Sequence, residues 1–530
     1  MSDDVPFWFP LEDRPPPLSE SPVNHLLSCD VYPTAADSRR VQDVISEAKH
    51  HLSSLQQAIG RVQGMLLELK ASKNQLAAYI KAHEAVIAPI RRIPDDILIE
   101  IFTLCLPSAF EALPDPMKAP LLLTRVCQRW RAVVCAAPML WSTIYLMVES
   151  YSVGEAIKAT KFWMSSSAQC PLNITLRSHD LGPCHSVLEL LLPHAHRWRR
   201  ASFQIPSQLL HMFGSIRDKL SSLEYLNLDF YDPFSTQNIT VDYFNQAPRL
   251  SVVDHGTSLS PSSLALPWRQ LTSYTGYMKA FELLTLFNSA HHLTEADIVF
   301  QRSDETVFPL QAVSKPLKSL KTLRLVVDGR ETLRVLPLLP PCVALRKLNF
   351  KASFLNGHTL QSSNLDVFLS KSGSKLEKLS LDFAVVKDSH LLECLQHTPR
   401  LVELNIRDAA SCALTEHVMK KLTKRGPVCL LPRLKNLRLS GDLDLCDRSL
   451  IPMIQSRWRK TLTLGHEAAT DDSGCMEHLV LDYSYGSSTL TPSLLARLQS
   501  LKHNGYSIKL QTYGIDVRKY DIFHSPPFVH

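Results

Sequence analysis

Length, composition and charge exclude several classes of protein at once. The chain has 530 residues, 45% of them hydrophobic and 20% charged, which predicts a globular protein rather than a disordered one, built of roughly three or four units. The net charge of +6 is mild because 57 Lys and Arg nearly balance 51 Asp and Glu, so it gives no argument for nucleic acid. No apolar run reaches the roughly eighteen residues that span a bilayer, and the first residues do not form a secretory signal. We therefore expect a soluble protein of the cytoplasm or nucleus, with no membrane partner.

The amino-terminal part divides into two segments. Residues 1–37 are rich in proline and show no period, which predicts a disordered arm. From Val41 to Ile87, apolar residues recur at alternating spacings of four and three, which predicts a heptad helix over residues 38–88. Lys73 and His83 interrupt this apolar seam. A seam of this kind must be covered, and two partners remain open: a second copy, giving a homodimer through residues 41–87, or later domains of this chain.

A second helical pattern begins at Pro94. Proline suits the first turn of a helix, and Asp95 and Asp96 follow where the helix dipole favours negative charge. Apolar residues then occupy two neighbouring stripes, made of Ile97, Ile101, Leu104 and of Leu98, Phe102, Cys105. A helix that is apolar on two sides can bury one side in its own domain and offer the other to a partner.

A connection with several prolines, from Pro107 to Pro120, separates this helix from the next one. The spacing then predicts one amphipathic helix whose apolar face carries Leu122, Val126, Trp130 and Val133. Its pattern ends at Pro138, and Leu140 and Trp141 follow as a further apolar pair.

Residues 93–141 resemble the F-box, a helical module that docks substrate receptors onto a Skp-family adaptor within cullin ubiquitin ligases. The chain departs from the F-box pattern at Ile93, where Leu is commoner, and in its longer proline-rich connection. The resemblance implies a three-helix F-box domain over residues 89–145. It also implies that the core and the adaptor-binding face are formed by Ile93, Pro94, Leu98, Ile101, Phe102, Val126, Cys127, Trp130, Leu140 and Trp141. A heptad helix leading into an F-box start is similar to the arrangement in large fungal families of F-box-like proteins.

The remaining two thirds of the chain contain an internal repeat. The pattern L-x-x-L-x-L begins at Leu223, Leu293, Leu320, Leu345, Leu376, Leu401, Leu434 and Met476, with weaker copies at Trp198, Leu250 and Leu271. The spacing is close to that of leucine-rich repeats, in which each unit is a short strand followed by a helical return.

We therefore predict a leucine-rich-repeat β/α solenoid over residues 196–512, with a connecting segment over 146–195 and a carboxy-terminal tail over 513–530. The Asn or Cys that usually closes the motif is missing, so the repeats are expected to be irregular. The fold class is α followed by α/β. A doubly wound sheet is the alternative, but the chain contains no Gly-rich phosphate loop.

Polar residues between the inward leucines are expected on the concave face of this solenoid. Six of them are basic and one is acidic, which favours an acidic or phosphorylated protein segment as the substrate. The candidate substrate-binding residues are Tyr225, Arg324, Lys347, Lys351, Lys378, Arg407 and Arg438. An ordinary solvated face is the alternative.

Two further patterns bear on nucleic acid. Basic residues flank Trp198 and Trp458, as in basic-aromatic patches that bind single strands. Both tryptophans also lie beside strand-like runs, which favours packing at the edge of a repeat. Nucleic acid is therefore not the partner that we expect.

Catalytic and metal-binding patterns are missing from the sequence. It contains no nucleophile elbow, zinc-protease, P-loop or dinucleotide-binding motif, and its twelve cysteines include no C-x-x-C pair. We expect no catalytic residue, no metal and no cofactor.

These observations predict the substrate-recognition subunit of a Skp-cullin-F-box type ubiquitin ligase. The adaptor and, through it, a cullin would bind the F-box, and the repeats would bind the target protein. The alternative is an interaction scaffold that uses the heptad helix and the repeats for assembly without a ligase.

Overall fold

The computed structural model describes seventeen stretches of the chain: residues 21, 24–27, 32–107, 114–148, 152–231, 241–256, 261–300, 315–328, 336–353, 363–383, 387–408, 413–425, 429–441, 443, 447–458, 475–482 and 491–511. These residues form two compact units, divided after Leu98. The predicted arm lies largely outside the described residues, and the predicted tail lies entirely outside them.

The amino-terminal unit is helical. It contains a short helix α1, Asn24–Leu27, and a long helix α2, Ala35–Ile87. Helix α2 begins with a capping box, in which the Thr34 hydroxyl accepts a hydrogen bond from the Asp37 N–H and the Asp37 carboxylate accepts one from the Thr34 N–H. It ends before Pro89, which starts a 3₁₀ turn, Pro89–Arg92. None of the residues of α2 is buried.

Helix α3, Asp95–Leu104, crosses the division between the two units, and helix α4, Gln128–Ala136, follows in the second. Two 3₁₀ turns accompany them, Leu123–Arg125 and Pro138–Trp141. The single helix predicted from Leu122 to Val133 is therefore wrong, because Cys127 has an extended backbone that interrupts it. The described residues from the start of α3 to Trp141 form two α-helices, α3 and α4, and two 3₁₀ turns. The F-box resemblance implied three helices.

One parallel sheet forms the rest of the second unit, and its strands lie side by side in chain order. Its fourteen described strands are β1 Thr143–Met147, β2 Leu172–Arg177, β3 Trp198–Ile205, β4 Tyr225–Phe230, β5 Val252–His255, β6 Ser273–Met278, β7 Glu295–Phe300, β8 Thr322–Asp328, β9 Lys347–Ser353, β10 Lys378–Phe383, β11 Glu403–Asp408, β12 Asn436–Ser440, β13 His478–Asp482 and β14 Ile508–Gln511. Strictly sequential parallel pairing is the topology of a solenoid-like α/β arrangement.

Helical segments connect the strands. The α-helices are α5 Val153–Ser166, α6 Leu181–Leu191, α7 Ala280–Ser289, α8 Ser363–Ser372, α9 Asp388–Gln396, α10 Glu416–Leu422, α11 Asp447–Arg457 and α12 Pro492–His503. The 3₁₀ segments are Leu192–Arg197, Ser207–Ile216, Pro261–Ser263, Trp268–Gln270, Leu336–Leu338 and Gly373–Lys375. The helical returns predicted between strands are present, for example as α9 between β10 and β11.

The repeated leucines form the core of the sheet, as the sequence predicted. Across β8, β9 and β10 the cross-strand partners Leu325, Phe350 and Leu381 are all buried, and the partners on strands further along continue the row. The first leucine of each motif, such as Leu376, lies buried in the turn before its strand. Each such side chain contributes about 1.5–3 kcal/mol when it leaves water, and no single repeat could bury its leucines alone.

The sheet begins earlier than the sequence indicated. Strand β2 and helices α5 and α6 lie within residues 146–195, predicted as a connecting segment, and β1 begins within the predicted F-box domain. Together they form the first repeats. In β2, Leu172, Ile174 and Leu176 alternate as in other strands. The sheet pairs Leu172 with Trp198, the first residue of its motif copy, so β2 has one residue fewer between the first and second motif positions. A search for the full motif therefore misses this strand.

No helix in the described part of the chain is both long enough and apolar enough to cross a membrane.

Candidate functional site

The first candidate site is the helical module of residues 99–141. Its centre is the pair Phe102 and Trp130, whose ring centroids are 4.8 Å apart. Phe102 is fully buried on α3, whereas Trp130 on α4 keeps part of its surface exposed. This pairing places the two helices in contact within the second unit.

Cys127 has a structural role in this module. Its backbone is extended, and its Sγ accepts a hydrogen bond from the Trp130 N–H at 3.4 Å, so it caps the amino terminus of α4. A helix end leaves its first N–H groups without intrahelical partners. The Cys127 thiol therefore satisfies one of the unpaired N–H groups at the start of α4, although the cysteine side chain is also exposed.

Leu140 and Trp141, predicted as part of the adaptor face, are buried by this chain itself. The Trp141 indole N–H donates to the Val134 carbonyl at 2.9 Å. Its ring meets Phe162 and Trp163 of α5 edge to face, at centroid distances of 5.0 and 5.2 Å. Trp141 thus joins the module to the first repeat of the sheet.

Other apolar side chains of the module remain exposed. Val126 is 55% exposed, Leu104 is 87% exposed, and Ile101 is partly exposed. Leu104 was not predicted as adaptor-binding, and neither were three more exposed residues: Met117, Leu122 and Met139. Helical periodicity could not have identified Met117 and Met139, because they lie in a turn and in a 3₁₀ segment.

The three predicted residues of the amino-terminal unit differ in exposure. Ile93 is partly exposed, Pro94 is exposed and Leu98 is fully buried. Of the ten predicted residues, those facing solvent at least in part are Ile93, Pro94, Ile101, Val126, Cys127 and Trp130.

The second candidate site lies on the sheet face opposite the buried leucines, which we call the open face. Cross-strand partners form three rows there from β4 to β12. The first row is Tyr225, Val252, Ser273, Glu295, Thr322, Lys347, Lys378, Glu403 and Asn436. The second is Asn227, Asp254, Thr275, Asp297, Arg324, Asn349, Ser380, Asn405 and Arg438. The third includes Asp229, Tyr277, Val299, Val326, Lys351, Asp382, Arg407 and Ser440.

Four of the predicted substrate-binding residues meet in one depression of about 260 Å³, which we call the basic depression. They are Arg324, Lys351, Arg407 and Arg438. Its wall is completed by Asn349, Ser380, Asp382, Asn405, Ser440 and Asp482. Strands far apart in sequence therefore bring these four cations to one place.

The basic residues of this depression have acidic neighbours. Arg438 contacts Asp482 at 2.7 Å, and both Arg407 and Lys351 approach Asp382, at 3.7 and 4.0 Å. Arg324 donates to Asp297 on the neighbouring strand β7, at 2.9 Å. The open face is therefore less basic than the sequence predicted, because the sequence count gave six basic residues to one acidic residue.

Sequence reasoning missed these three aspartates. Asp297, Asp382 and Asp482 each stand beside an apolar strand residue, at the same alternate positions as the bases. A count over every outward position of each strand, rather than over selected ones, would have included them.

The other predicted substrate-binding residues lie outside the basic depression. Lys347 and Lys378 are in the first row, and Lys378 forms an ion pair with Glu403. Tyr225 lies on β4 beneath the Arg200 guanidinium, 4.2 Å from its ring centroid. Burial, with Asp254 nearby, raises the pKa of Tyr225 to about 12, so this hydroxyl stays protonated.

Each of the two basic-aromatic patterns begins with a buried arginine, whereas Arg199 and Arg200 of the first pattern are exposed. Trp198 is fully buried against Phe203, with ring centroids 5.3 Å apart. Arg197 donates to the carbonyls of Cys170 and Ser167, just after the end of α5. The helix dipole also favours a cation at this end of a helix.

Arg457 repeats this arrangement. It is buried and donates to the carbonyls of Leu422 and Leu431. Trp458 packs on Tyr506 at a centroid distance of 5.1 Å. These contacts fit packing at the edges of repeats. Arg459 and Lys460 of the second pattern lie outside the described residues.

Comparisons with known proteins give little further information. No family model matches the chain, and no curated protein matches it. Among solved structures, the chain is similar to the crystal structure of the Rad7 and Elc1 complex in yeast, at 14% sequence identity over 74% of this chain and 96% of that chain, with a TM-score of 0.35. A likeness at this level assigns neither a family nor a partner to the chain.

Proposed function

We propose that the chain is the substrate-recognition subunit of a Skp-cullin-F-box type ubiquitin ligase. Residues 93–141 bind a Skp-family adaptor and, through it, a cullin, while the open face of the sheet binds the target protein. The chain has no catalytic site of its own in this proposal. The order of the two parts supports it, because an F-box-like pattern directly precedes a long repeat sheet.

The exposed apolar side chains of the module are the observation that carries the proposal. Leu104, Val126 and Met139 lie exposed around a module whose centre is already packed by Phe102 and Trp130. Each large apolar side chain contributes about 1.5–3 kcal/mol when a partner buries it. Three or more of them can sustain an interface after the cost of association is subtracted.

Proximity is the mechanism by which such a receptor acts. A target lysine held beside a charged ubiquitin-conjugating enzyme reacts in a nearly intramolecular step, whereas free proteins must first meet. The chain therefore needs two binding surfaces on one rigid support. The buried leucine rows provide that support along the whole sheet.

Co-purification with a Skp-family adaptor tests the proposal. We expect Val126→Asp to reduce adaptor binding by about tenfold or more, because it places a charge where an apolar contact is needed. Val126 is 55% exposed, so the module should stay folded. Leu181→Asp is the matched control, because Leu181 is 49% exposed and lies at the start of α6, outside the module.

Two results would count against the adaptor interface. One is equal adaptor binding by both variants, and the other is the absence of any adaptor from the purified wild-type chain. Circular dichroism of each variant confirms that the fold is kept.

The alternative function is an assembly scaffold that binds no adaptor. Two observations favour it: Phe102 and Trp141, both in the predicted adaptor face, are buried by the chain itself, and α2 leaves its whole apolar seam unburied. A scaffold predicts self-association or capture of other proteins with no adaptor present. The co-purification experiment separates the two functions.

A further inference from the structure

Opposite charges occupy consecutive parts of the open face. In the three rows, strands β4 to β7 carry four carboxylates and no Lys or Arg: Asp229, Asp254, Glu295 and Asp297. Strands β8 to β12 carry six bases and two acids in the same rows: Arg324, Lys347, Lys351, Lys378, Arg407, Arg438, Asp382 and Glu403. From β4 to β12 the face therefore has an acidic half and a basic half. Before β4, Arg200 of β3 lies over the Tyr225 ring and Arg177 of β2 attracts the Asp229 carboxylate.

Asp254 lies at the centre of the acidic half. Its carboxylate accepts a hydrogen bond from the Asn227 amide at 3.1 Å. The groups that face it come from β4, β6 and β7: Tyr225, Asn227, Asp229, Thr275, Tyr277 and Asp297. No Lys or Arg on these strands is among them. Burial, with repulsion from Asp229 and Asp297, raises the pKa of Asp254 to about 6.

This arrangement costs stability in the free protein, because a carboxylate is kept ionised at neutral pH among other carboxylates. Strained electrostatics of this kind is concentrated at functional sites. A cationic group from a partner would relieve the repulsion, and the cost of desolvation has already been met in the fold.

The basic half retains positive charge despite its ion pairs. Lys351 and Arg407 both approach the Asp382 carboxylate, and the three rows of this half hold six bases against two acids. Around them the basic depression supplies hydrogen-bond donors from Asn349, Asn405 and Ser380. Carboxylate and phosphate are the groups that such a set of donors binds most strongly.

The distance between the two halves sets the length of a ligand that reaches both. Neighbouring strands are about 4.8 Å apart, so Asp254 on β5 is about 19 Å from β9 and about 29 Å from β11. An extended peptide advances about 3.3 Å per residue. A segment lying across the strands therefore needs about six to nine residues between its basic and acidic groups.

We propose that the open face binds an extended, dipolar segment of a target protein, with basic side chains against β4 to β7 and an acidic or phosphorylated group in the basic depression. This inference rests on the proposed binding of a protein target by the repeats. It does not depend on the adaptor.

Labelled peptides of about twelve residues, with charged groups at the spacing given above, test the proposal on the full-length chain. The dipolar peptide carries Arg and Lys at one end and Glu at the other, and it is made with the basic end first and with the acidic end first. A phosphorylated version replaces one Glu with phosphoserine. Comparison peptides carry only the acidic end, only the basic end, or the same residues scrambled. We expect the dipolar peptide to bind about tenfold or more tightly than every comparison peptide.

Variants locate the two contacts. Asp254→Asn should weaken the dipolar peptide to the level of the acidic one and leave the acidic one unchanged. Lys351→Gln should weaken both. Glu393→Gln and Lys375→Gln are the matched controls, because both residues are exposed on helical segments between strands and should change nothing.

The pH dependence gives an independent readout. A bound cation keeps Asp254 ionised, so the dipolar peptide should bind more weakly as pH falls through about 6, where the free carboxylate takes up a proton. In Asp254→Asn this loss should disappear, which separates Asp254 from other titrating groups.

Three results would overturn the inference: acidic and dipolar peptides that bind equally, wild-type affinity in Asp254→Asn, or no binding by any peptide. Adaptor co-purification is measured on the same preparations. If the adaptor co-purifies but the peptides fail these tests, only the dipolar ligand is refuted. If the peptides bind as expected but no adaptor co-purifies, only the ligase proposal is refuted.

Discussion

The long helix α2 and the strands of the sheet are both patterned with apolar residues, yet they differ completely in burial. None of the residues of α2 is buried, although Ile45, Leu52, Ile59, Leu66 and other seam residues are large and apolar. In the sheet, every repeat buries its leucines against the next repeat. Local periodicity sets which element forms, but burial requires a second surface. The sheet supplies that surface from its own repeats, whereas no residue of α2 is buried by the described residues.

The largest effect is expected from removing a core ring of the sheet. Phe350→Ala on β9 should lower the free energy of unfolding by about 3–5 kcal/mol, because it leaves a cavity between Leu325 and Leu381. Urea denaturation followed by circular dichroism measures the change. Phe350→Leu serves as the control, with an expected loss below about 1.5 kcal/mol. An equal loss in both variants would mean that the sheet does not depend on close packing at this row.

The seam of α2 is tested by two adjacent leucines. We expect the chain to self-associate through α2, and Leu66→Asp, on the seam, to weaken that association by about a hundredfold. Leu67→Asp should have little effect, because Leu67 points away from the seam although it is 68% exposed, against 48% for Leu66. Analytical ultracentrifugation over a range of concentrations gives the dissociation constant. If the wild-type chain is monomeric, or if the two variants have equal dissociation constants, then a second copy of the chain is not the partner of α2.

A substitution on the open face is expected to raise the free energy of unfolding, by less than the core substitution lowers it. The pKa of Asp254 is raised to about 6 in the folded chain, so at neutral pH its ionised form destabilises the fold relative to the unfolded state. Asp254→Asn should therefore stabilise the protein, by about 1–2 kcal/mol above pH 6. The gain should vanish below about pH 4, where the carboxyl is protonated in both states. Thermal unfolding across this pH range measures it, and a variant less stable than wild type at pH 7 would contradict the account of this site.

Much of the fold could be predicted from the sequence, for an identifiable reason. Each L-x-x-L-x-L motif places one leucine in a turn and two on the inner face of a strand, so the strands from β7 to β13 follow from local pattern alone. The start of the sheet could not be predicted in this way. In β1, Ile144, Tyr145 and Leu146 are all buried in succession, so the alternation that marks a half-buried strand is missing.

The candidate sites were less predictable than the fold. The resemblance to the F-box pointed to Trp141 as part of an adaptor face, but α5 covers it with Phe162 and Trp163. No pattern near Trp141 could reveal this, because the covering helix belongs to a repeat that the motif search missed. The adaptor face itself stays a prediction.

The sequence by itself determined the elements and the inner rows of leucines, because helical and strand periodicities are local properties of the chain. Only the tertiary structure decided which charges meet. Asp382 lies between Lys351 and Arg407 because three strands align in register, and these residues are about 25–31 positions apart in the chain. The same alignment separates the open face into an acidic half and a basic half, since stacking turns a sequence of repeats into a spatial order of charges.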